Sequence, residues 1–357
     1  MTVPKTRIDL ESLPAYKAGQ KLQAREGVQV FKLSSNENPY SPLPSVLKAI
    51  AHAAQDVNRY PDPLNTEMIA AIAGDLGVSP EHIGVGTGSV AVLGHIIESV
   101  AAPGDEVMFA WRSFEAYPIW VQICSAKSVQ IPLTSEHRHD FEAMAAAITD
   151  RTRVIFVCTP NNPTGTAVYT DELHDFIKKV PSDVLVVIDE AYGEFVHDDT
   201  VVKGMEFFNA YSNVALLRTF SKAYGLAGLR IGYTVAPLNI ADYVRRTSIP
   251  FGVSGIAQAA VVASLQPEAK AELQERVNQL VVERERVLNA LRAQGWKLQP
   301  QHANFIWLDT GDQTGAIKDA CEAVGVAVRP FPEGLRITVG ETEANDRVIS
   351  VLAEFKH

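Results

Sequence analysis

The stretch Val214–Arg230, VALLRTFSKAYGLAGLR, predicts a buried strand that ends beside a functional lysine. Its first four residues form a continuous apolar run, which is typical of a strand buried on both faces of a sheet. Lys222 follows in a segment of small and apolar residues that includes Phe220 and Tyr224, and Arg230 closes the stretch. Because lysine usually lies on a wet surface, this placement favours an amine that works inside a cavity.

Two other apolar runs have the same character, and polar residues follow each of them. Arg153–Cys158 (RVIFVC) precedes TPNNPTG, and Val184–Ile188 (VLVVI) precedes DEAY. In an open α/β sheet, ligands bind at the carboxyl ends of the strands. We therefore expect an asparagine of the first loop, the acid Asp189 and Lys222 to converge on one edge. Each residue alone is best explained as a polar residue at a strand exit, but together they favour a site.

Residues 83–97, IGVGTGSVAVLGHII, predict a short strand, a turn of small residues and a helix. Backbone N–H groups at such a helix start bind phosphate. Gly86–Ala91 matches the dinucleotide pattern G-x-G-x-x-A, but the acid expected at the end of the next strand is missing. A single phosphate is therefore the better ligand. An amine that can form a Schiff base, an acid for a pyridinium nitrogen and a phosphate pocket together meet the demands of pyridoxal phosphate.

The length of 357 residues and the hydrophobic share of 46% predict a large domain with a smaller companion. Apolar runs alternate with helical segments from about Asn36 to Arg246, which indicates an α/β sheet. The stretch Ser254–Gln294 predicts one long helix that Gly295 ends, and short strands follow it. The predicted units are an N-terminal arm that joins the small domain (1–35), a large cofactor-binding domain (36–253) and a small C-terminal domain (254–357).

Charge and cysteine content exclude several classes of protein. With 32 Lys and Arg against 42 Asp and Glu, the net charge of −10 argues against nucleic acid or an anionic membrane as partner. Cys124, Cys158 and Cys321 are far apart and show neither metal-ligand spacing nor a disulfide framework. Since the amino terminus also lacks the apolar core of a signal peptide, we expect a cytoplasmic protein with no metal site.

Six motifs occur in the order found in one family of enzymes: SSNENPYSP, RYPDP, TPNNPTG, DEAYGEF, RTFSKAYGLAGLRIGY and LRITVG. The chain resembles the fold-type I pyridoxal-phosphate aminotransferases from Tyr16 to Gly340. It is similar to the branch that contains histidinol-phosphate aminotransferase and its actinobacterial aromatic-amino-acid relatives. The resemblance implies an α/β fold with a large, mainly parallel-sheet domain and a smaller α+β domain.

The resemblance also implies roles in binding the cofactor, pyridoxal 5′-phosphate. Lys222 would hold it as an internal aldimine and then move the proton between Cα and C4′. Asp189 would pair with the pyridine nitrogen, and Tyr192 and Asn162 would bond the ring hydroxyl. The other residues expected to contact the cofactor are Gly88, Ser89, Val90, Phe114, Thr219, Ser221 and Arg230.

Substrate and subunit contacts are implied in the same way. Arg336 would grip the acidic group of the substrate, a task that suits the two-pronged guanidinium. Tyr16, Asn38 and Arg329 would line the substrate pocket. Tyr60 would reach the phosphate of the neighbouring subunit's cofactor, which implies a homodimer.

Two departures from the histidinol-phosphate enzymes bear on the substrate. Phe114 stands where those enzymes usually carry a tyrosine, and Tyr117 is a candidate to replace the lost hydroxyl, with core packing as the equal alternative. Only six residues separate Arg329 from Arg336, fewer than in those enzymes. Both departures favour transfer of an amino group from phenylalanine, tyrosine or, as a third candidate, tryptophan to a 2-oxo acid such as 2-oxoglutarate.

Other activities stay open on the sequence alone. Histidinol-phosphate transamination is the main alternative, because Arg329 and Arg336 suit a phosphate as well as a carboxylate. A pyridoxal-phosphate-dependent decarboxylase would share the cofactor site. A non-enzymatic regulatory module is disfavoured, since the chain has no basic patch for DNA. Further aromatic candidates for the pocket, with core packing as the alternative for most of them, are Tyr16, Phe31, Trp120 and Phe251.

Overall fold

The protein is described by a computed structural model that covers Pro4, Leu13, Gly19, Leu22 and residues 29–355. Its strands, in chain order, are β1 (Phe31–Lys32), β2 (Ile83–Gly86), β3 (Glu106–Trp111), β4 (Lys127–Pro132), β5 (Thr152–Cys158), β6 (Leu185–Asp189), β7 (Val214–Thr219), β8 (Gly232–Val235), β9 (Phe305–Asp309), β10 (Val326–Ala327), β11 (Arg329–Pro330) and β12 (Gly334–Thr338).

The helices surround these strands and follow them along the chain. In chain order they are α1 (Pro44–Ala53), α2 (Thr66–Leu76), α3 (Ser89–Val100), α4 (Ala116–Ile123), α5 (Phe141–Ala146), α6 (Thr170–Ile177), α7 (Gly204–Ala210), α8 (Leu238–Thr247), α9 (Gly255–Ser264), α10 (Pro267–Ala293), α11 (Thr314–Ala323) and α12 (Thr342–Leu352). Among the described residues, no helix is both long and apolar enough to cross a membrane.

A seven-stranded sheet forms the centre, in the order β2-β8-β7-β6-β5-β3-β4. All of its strands are parallel except β8, which runs against both of its neighbours. The three predicted apolar runs are confirmed as β5, β6 and β7, with ends shifted by one or two residues. The predicted α/β fold is therefore confirmed, and the carboxyl ends of β5, β6 and β7 lie side by side.

Both faces of the large sheet are covered at its central strands, which explains why β5, β6 and β7 are largely apolar. Val186 and Ile188 of β6 face one hydrophobic core, whereas Leu185 and Val187 face a second core on the opposite side. Successive side chains of a strand point to opposite faces, so an alternating pattern appears only where one face is wet.

A three-stranded sheet, a two-stranded sheet and a third core accompany the large sheet. Strands β11, β12 and β9 pair antiparallel, and β1 pairs with β10 in parallel. Phe31 and Leu33 pack in this third core with the carboxyl-terminal half of α10. Helix α9 and the first half of α10 pack instead in a core of the large sheet. The domain boundaries at 35/36 and 253/254 stay predictions.

The single helix predicted over Ser254–Gln294 is wrong in one respect, because the structure has two helices there. Helix α9 ends at Ser264, and α10 begins at Pro267. Proline lacks the N–H that a continuing helix needs, but it is well suited to the first helical position. The predicted end is close to the observed one, since α10 stops at Ala293 and Gly295 adopts a positive φ of 100°.

Arg284 of α10 links the segment that follows β6 to the segment that precedes β9. Its Nη1 donates hydrogen bonds to the carbonyl of Phe195, in the segment after β6, and to the carbonyl of Ala303, just before β9, each at 3.1 Å. The side chain is only 4% exposed. A buried arginine at this position satisfies two backbone carbonyls that belong to different parts of the chain.

We expect Arg284→Met to lower the free energy of unfolding by about 2 kcal/mol or more, because two buried carbonyls lose their donor. Urea denaturation measures the change. Arg292→Met, an exposed position near the end of the same helix, is the matched control. Equal stability of the two variants would contradict the role given to Arg284.

Candidate active site

A cavity of about 280 Å³ opens at the carboxyl ends of the parallel strands. Loops that follow β2, β3, β5, β6 and β7 form one wall, and residues of β11, β12 and the segment after β1 form the other. Most of the predicted site residues line it, namely Ser89, Val90, Phe114, Asn162, Asp189, Tyr192, Thr219, Ser221, Lys222, Arg230, Arg329 and Arg336.

The Lys222 amine lies 3.4 Å from the carbonyl of Ser35 and 3.3 Å from that of Asn36. Burial, together with the positive charge of Arg336, lowers the pKa of this amine to about 7. A large fraction is therefore uncharged at neutral pH. An uncharged amine is a nucleophile and a base, which is what the sequence required of this lysine.

Asp189 ends β6 and is 4% exposed. Its Oδ2 accepts a hydrogen bond from the Tyr117 hydroxyl at 2.7 Å, and its Oδ1 accepts one from the backbone N–H of Ala191 at 3.2 Å. Burial raises the pKa of this carboxyl to about 6, although both hydrogen bonds act in the opposite direction. A cation placed beside Asp189 would favour the ionised form.

Tyr117 was a candidate to replace the hydroxyl that Phe114 lacks, and the structure places the Tyr117 hydroxyl against Asp189. The tyrosine is fully buried, and its ring meets the Phe114 ring edge-on at 5.7 Å. Burial and the charge of Asp189 raise the pKa of the phenol, so it stays protonated and donates to the carboxylate. Its hydroxyl thus serves Asp189 and does not line the cavity.

Hydrogen bonds from Arg336 and from Asn36 join the two walls. Arg336 Nη1 donates to Asn162 Oδ1 at 2.6 Å, and its Nη2 donates to the Ser34 carbonyl at 2.9 Å. The Asn36 amide, in the segment after β1, donates to the Tyr192 hydroxyl of the opposite wall at 2.9 Å. Sequence reasoning missed Asn36 as a site residue, although it lies inside the quoted motif SSNENPYSP.

The turn before α3 forms a cradle for an anion. Gly88 has a φ of 86°, and a Cβ there would lie 2.2 Å from Arg230 Nη2. A Cβ on Gly232 would lie 2.1 Å from the Ser89 nitrogen. Arg230 Nη1 also donates to Ser221 Oγ at 3.2 Å. The glycines therefore let an arginine, a serine and a helix N-terminus approach one another, which suits a phosphate.

Several predicted residues are placed elsewhere. Gly88 shapes the cradle from outside the cavity lining. The Asn38 amide donates to the carbonyls of Lys222 and Ala223, so it stabilises the loop that carries Lys222 without lining the cavity. Tyr60 is 82% exposed and does not line the cavity of its own chain. Tyr16 lies outside the described residues.

Among the additional aromatic candidates, core packing accounts for two. Phe31 is buried in the third core, and Trp120 packs against α3 beside Gly94. Phe251 lies at the surface, with its ring 4.6 Å from that of Tyr60. Phe331, which the sequence did not single out, lines the cavity instead.

The model of one protein family, Aminotransferase class I and II, matches residues 28–352. This chain belongs to that family. It is an enzyme, and the cavity that gathers Lys222 and Asp189 is its candidate active site. Among the described residues, no cluster of side chains could hold a metal ion.

Known proteins similar to this aminotransferase agree on the fold and the class of reaction. It is 55% identical to an aromatic amino acid aminotransferase of Streptomyces coelicolor over 99% of this chain and 98% of the relative. It is 51% identical to one of Thermobifida fusca over 98% and 96%. The crystal structure of histidinol-phosphate aminotransferase from Sinorhizobium meliloti in complex with pyridoxal-5′-phosphate is 30% identical, with a TM-score of 0.81 over 90% of this chain and 89% of that one.

We expect the Lys222 amine of the cofactor-free protein to react with trace acetic anhydride at a rate that rises with pH around a midpoint near 7. Burial disfavours the ammonium form, so the reactive neutral amine predominates above that pH. Mass spectrometry of the peptide that contains Lys222 gives the rate at each pH. Free Nα-acetyl-lysine, whose amine has a pKa of about 10.4, is the control. A midpoint for Lys222 close to that of the free amino acid would contradict the lowered pKa.

Proposed function

We propose that this protein transfers the amino group of phenylalanine or tyrosine, and of tryptophan as a third candidate, to a 2-oxo acid such as 2-oxoglutarate, with pyridoxal 5′-phosphate as cofactor. The observation that carries the substrate assignment is an ion pair in the cavity. Arg329 Nη2 donates to Glu115 Oε2 at 2.8 Å, and the Arg329 guanidinium lies 5.3 Å from the Phe331 ring. Because Glu115 compensates the charge of Arg329 and Phe331 adds an aromatic surface, this part of the cavity suits an uncharged aromatic side chain.

The described residues fit pyridoxal phosphate on two independent grounds. The cradle around Gly88 would be filled by a Cβ, which explains why glycine stands there, and Arg230 faces it with positive charge. Asp189 is a buried acid whose pKa is raised by desolvation, so a neighbouring cation would stabilise its ionised form. When bound, this cofactor supplies a pyridinium ring that withdraws electrons from the Cα of the substrate.

In this proposal the side chains divide the work. Lys222 Nζ would take the proton from the substrate Cα and deliver it to C4′ of the cofactor, a task that needs an amine that is neutral near pH 7. Asp189 would lie beside the ring nitrogen and favour its protonated form. Asn162 and Tyr192 would bond the ring hydroxyl, and Arg336 would hold the α-carboxylate of the substrate through its paired N–H groups.

The alternatives differ in how well they suit the ion pair. Histidinol phosphate would bring a phosphate towards Arg329, where the carboxylate of Glu115 would repel it. The similarity at 30% identity to a histidinol-phosphate enzyme supports that alternative less than the 55% identity to an aromatic one supports ours. The near full-length similarity to proteins named aromatic amino acid aminotransferases favours amino transfer over a decarboxylase or a regulatory module. A cytoplasmic location stays a prediction.

We expect kcat/KM for phenylalanine and tyrosine to exceed that for histidinol phosphate by tenfold or more, a difference of about 1.4 kcal/mol in transition-state binding. The three amino donors are compared side by side with 2-oxoglutarate as acceptor. Preference for histidinol phosphate would refute the aromatic assignment and would mean that Arg329 exchanges Glu115 for a phosphate.

We also infer that the protein works as a homodimer. Exposed apolar residues gather near Tyr60, since Phe251 contacts its ring and Leu64 and Ile249 line one neighbouring cavity. Such a surface is costly to leave in water, and a second copy of the chain would cover it. Tyr60, which does not line its own cavity, would then donate to the cofactor phosphate of the other subunit.

We expect Tyr60→Phe to stay dimeric in analytical ultracentrifugation while its Kd for pyridoxal phosphate rises about tenfold, because one hydrogen bond to a charged group is lost. Tyr243→Phe, another exposed tyrosine, is the control for loss of a phenol. Active monomers of the unaltered protein would refute the shared site, and so would unchanged cofactor affinity in Tyr60→Phe.

A further inference from the structure

Two arginines face the same cavity from neighbouring strands. Arg329 of β11 and Arg336 of β12 are direct partners in the antiparallel register, and each is 8% exposed. Residues directly opposite each other in such a pair point to the same side of the sheet, and like charges at these positions repel. The site therefore places two guanidinium groups side by side, and the surroundings of each decide what it can bind.

The groups around the two arginines differ. Arg336 donates to the neutral oxygens of Asn162 and Ser34, whereas Arg329 donates to the carboxylate of Glu115. Glu115 directly precedes α4 and directly follows Phe114, so it reaches Arg329 from the opposite wall of the cavity. The ion pair thus spans the cavity between the two sheets.

The position of Glu115 allows this contact to open. Its side chain is 29% exposed, while that of Arg329 is 10% exposed. If Glu115 left Arg329, its carboxylate would regain water, and an anion of the substrate could take its place on the buried guanidinium. The distal carboxylate of a dicarboxylic substrate is such an anion. An aromatic side chain offers no replacement, so it leaves the pair closed and packs beside Phe331.

We propose that Glu115 determines the selectivity of the cavity between apolar and anionic substrate side chains by competing for Arg329. With an aromatic substrate, Glu115 stays paired with Arg329. With an acidic 2-oxo acid, the distal carboxylate takes the place of Glu115 on the same guanidinium. The inference rests on the proposed function, since it assumes that this cavity holds both amino acid and 2-oxo acid.

Binding of unreactive ligands to the holoenzyme tests the inference without turnover. Isothermal titration calorimetry gives Kd values for glutarate, a dicarboxylate, and for 3-phenylpropionate, an aromatic monocarboxylate. In Glu115→Gln we expect glutarate to bind about fivefold tighter or more, because its competitor for Arg329 has lost its charge. We expect 3-phenylpropionate to gain nothing. A purely structural role for Glu115 would weaken both ligands together.

Glu333→Gln is the matched control, because this neighbouring glutamate also pairs with an arginine, Arg112, at 2.9 Å. Glu333 does not line the cavity, so both Kd values should stay at their wild-type levels. Arg329→Gln provides the second background. There, adding Glu115→Gln should no longer tighten glutarate, because the guanidinium for which the two carboxylates compete is gone.

Unchanged glutarate binding in Glu115→Gln overturns the inference, and so does an equal gain in the Arg329→Gln background. The aromatic assignment fails separately. If wild-type protein does not bind 3-phenylpropionate, but glutarate tightens in an Arg329-dependent way, the role of Glu115 stands and the proposed substrate class falls.

Discussion

Parallel pairing of three neighbouring strands is the constraint on which the site depends. Backbone hydrogen bonds hold Cys158 of β5 opposite Asp189 of β6, and Asp189 opposite Leu217 of β7. Because the strands run in the same direction, the loops that carry Asn162 and Lys222 begin at the edge where Asp189 ends. A shift of one residue in β6 would turn the acid to the other face of the sheet and separate it from the amine.

Burial shifts the pKa values of Asp189 and Lys222 in opposite directions. Removal from water disfavours charge, so it lowers the pKa of Lys222 and raises that of Asp189 until both lie near neutrality. Hydrogen bonds from Tyr117 and from the Ala191 N–H limit the effect on the acid. An amine that is partly neutral near pH 7 can accept a proton, whereas a cation beside Asp189 would hold that carboxyl in its ionised form.

Residues outside the large sheet complete the cavity, and their contacts were the ones that the sequence predicted least well. Asn36 contacts Tyr192, 156 positions away, and Glu115 contacts Arg329, 214 positions away. Nothing in the local sequence of either residue indicates its partner, because the contact exists only when the two sheets face each other. The break between α9 and α10 is a different kind of error, since Pro267 was visible in the sequence and its missing N–H was the signal.

The sequence by itself determined the buried strands, the polar residues at their ends and the class of chemistry. These features are local properties that can be recognised one segment at a time. They are the apolar runs, the glycines beside a phosphate cradle and a lysine among small residues. Tertiary structure alone decided three contacts: Tyr117 donates a hydrogen bond to Asp189, Asn38 bonds the backbone of the loop that carries Lys222, and Arg329 pairs with Glu115. Those contacts depend on packing between distant segments, and a hydrogen bond forms only where folding brings donor and acceptor within about 3 Å of each other.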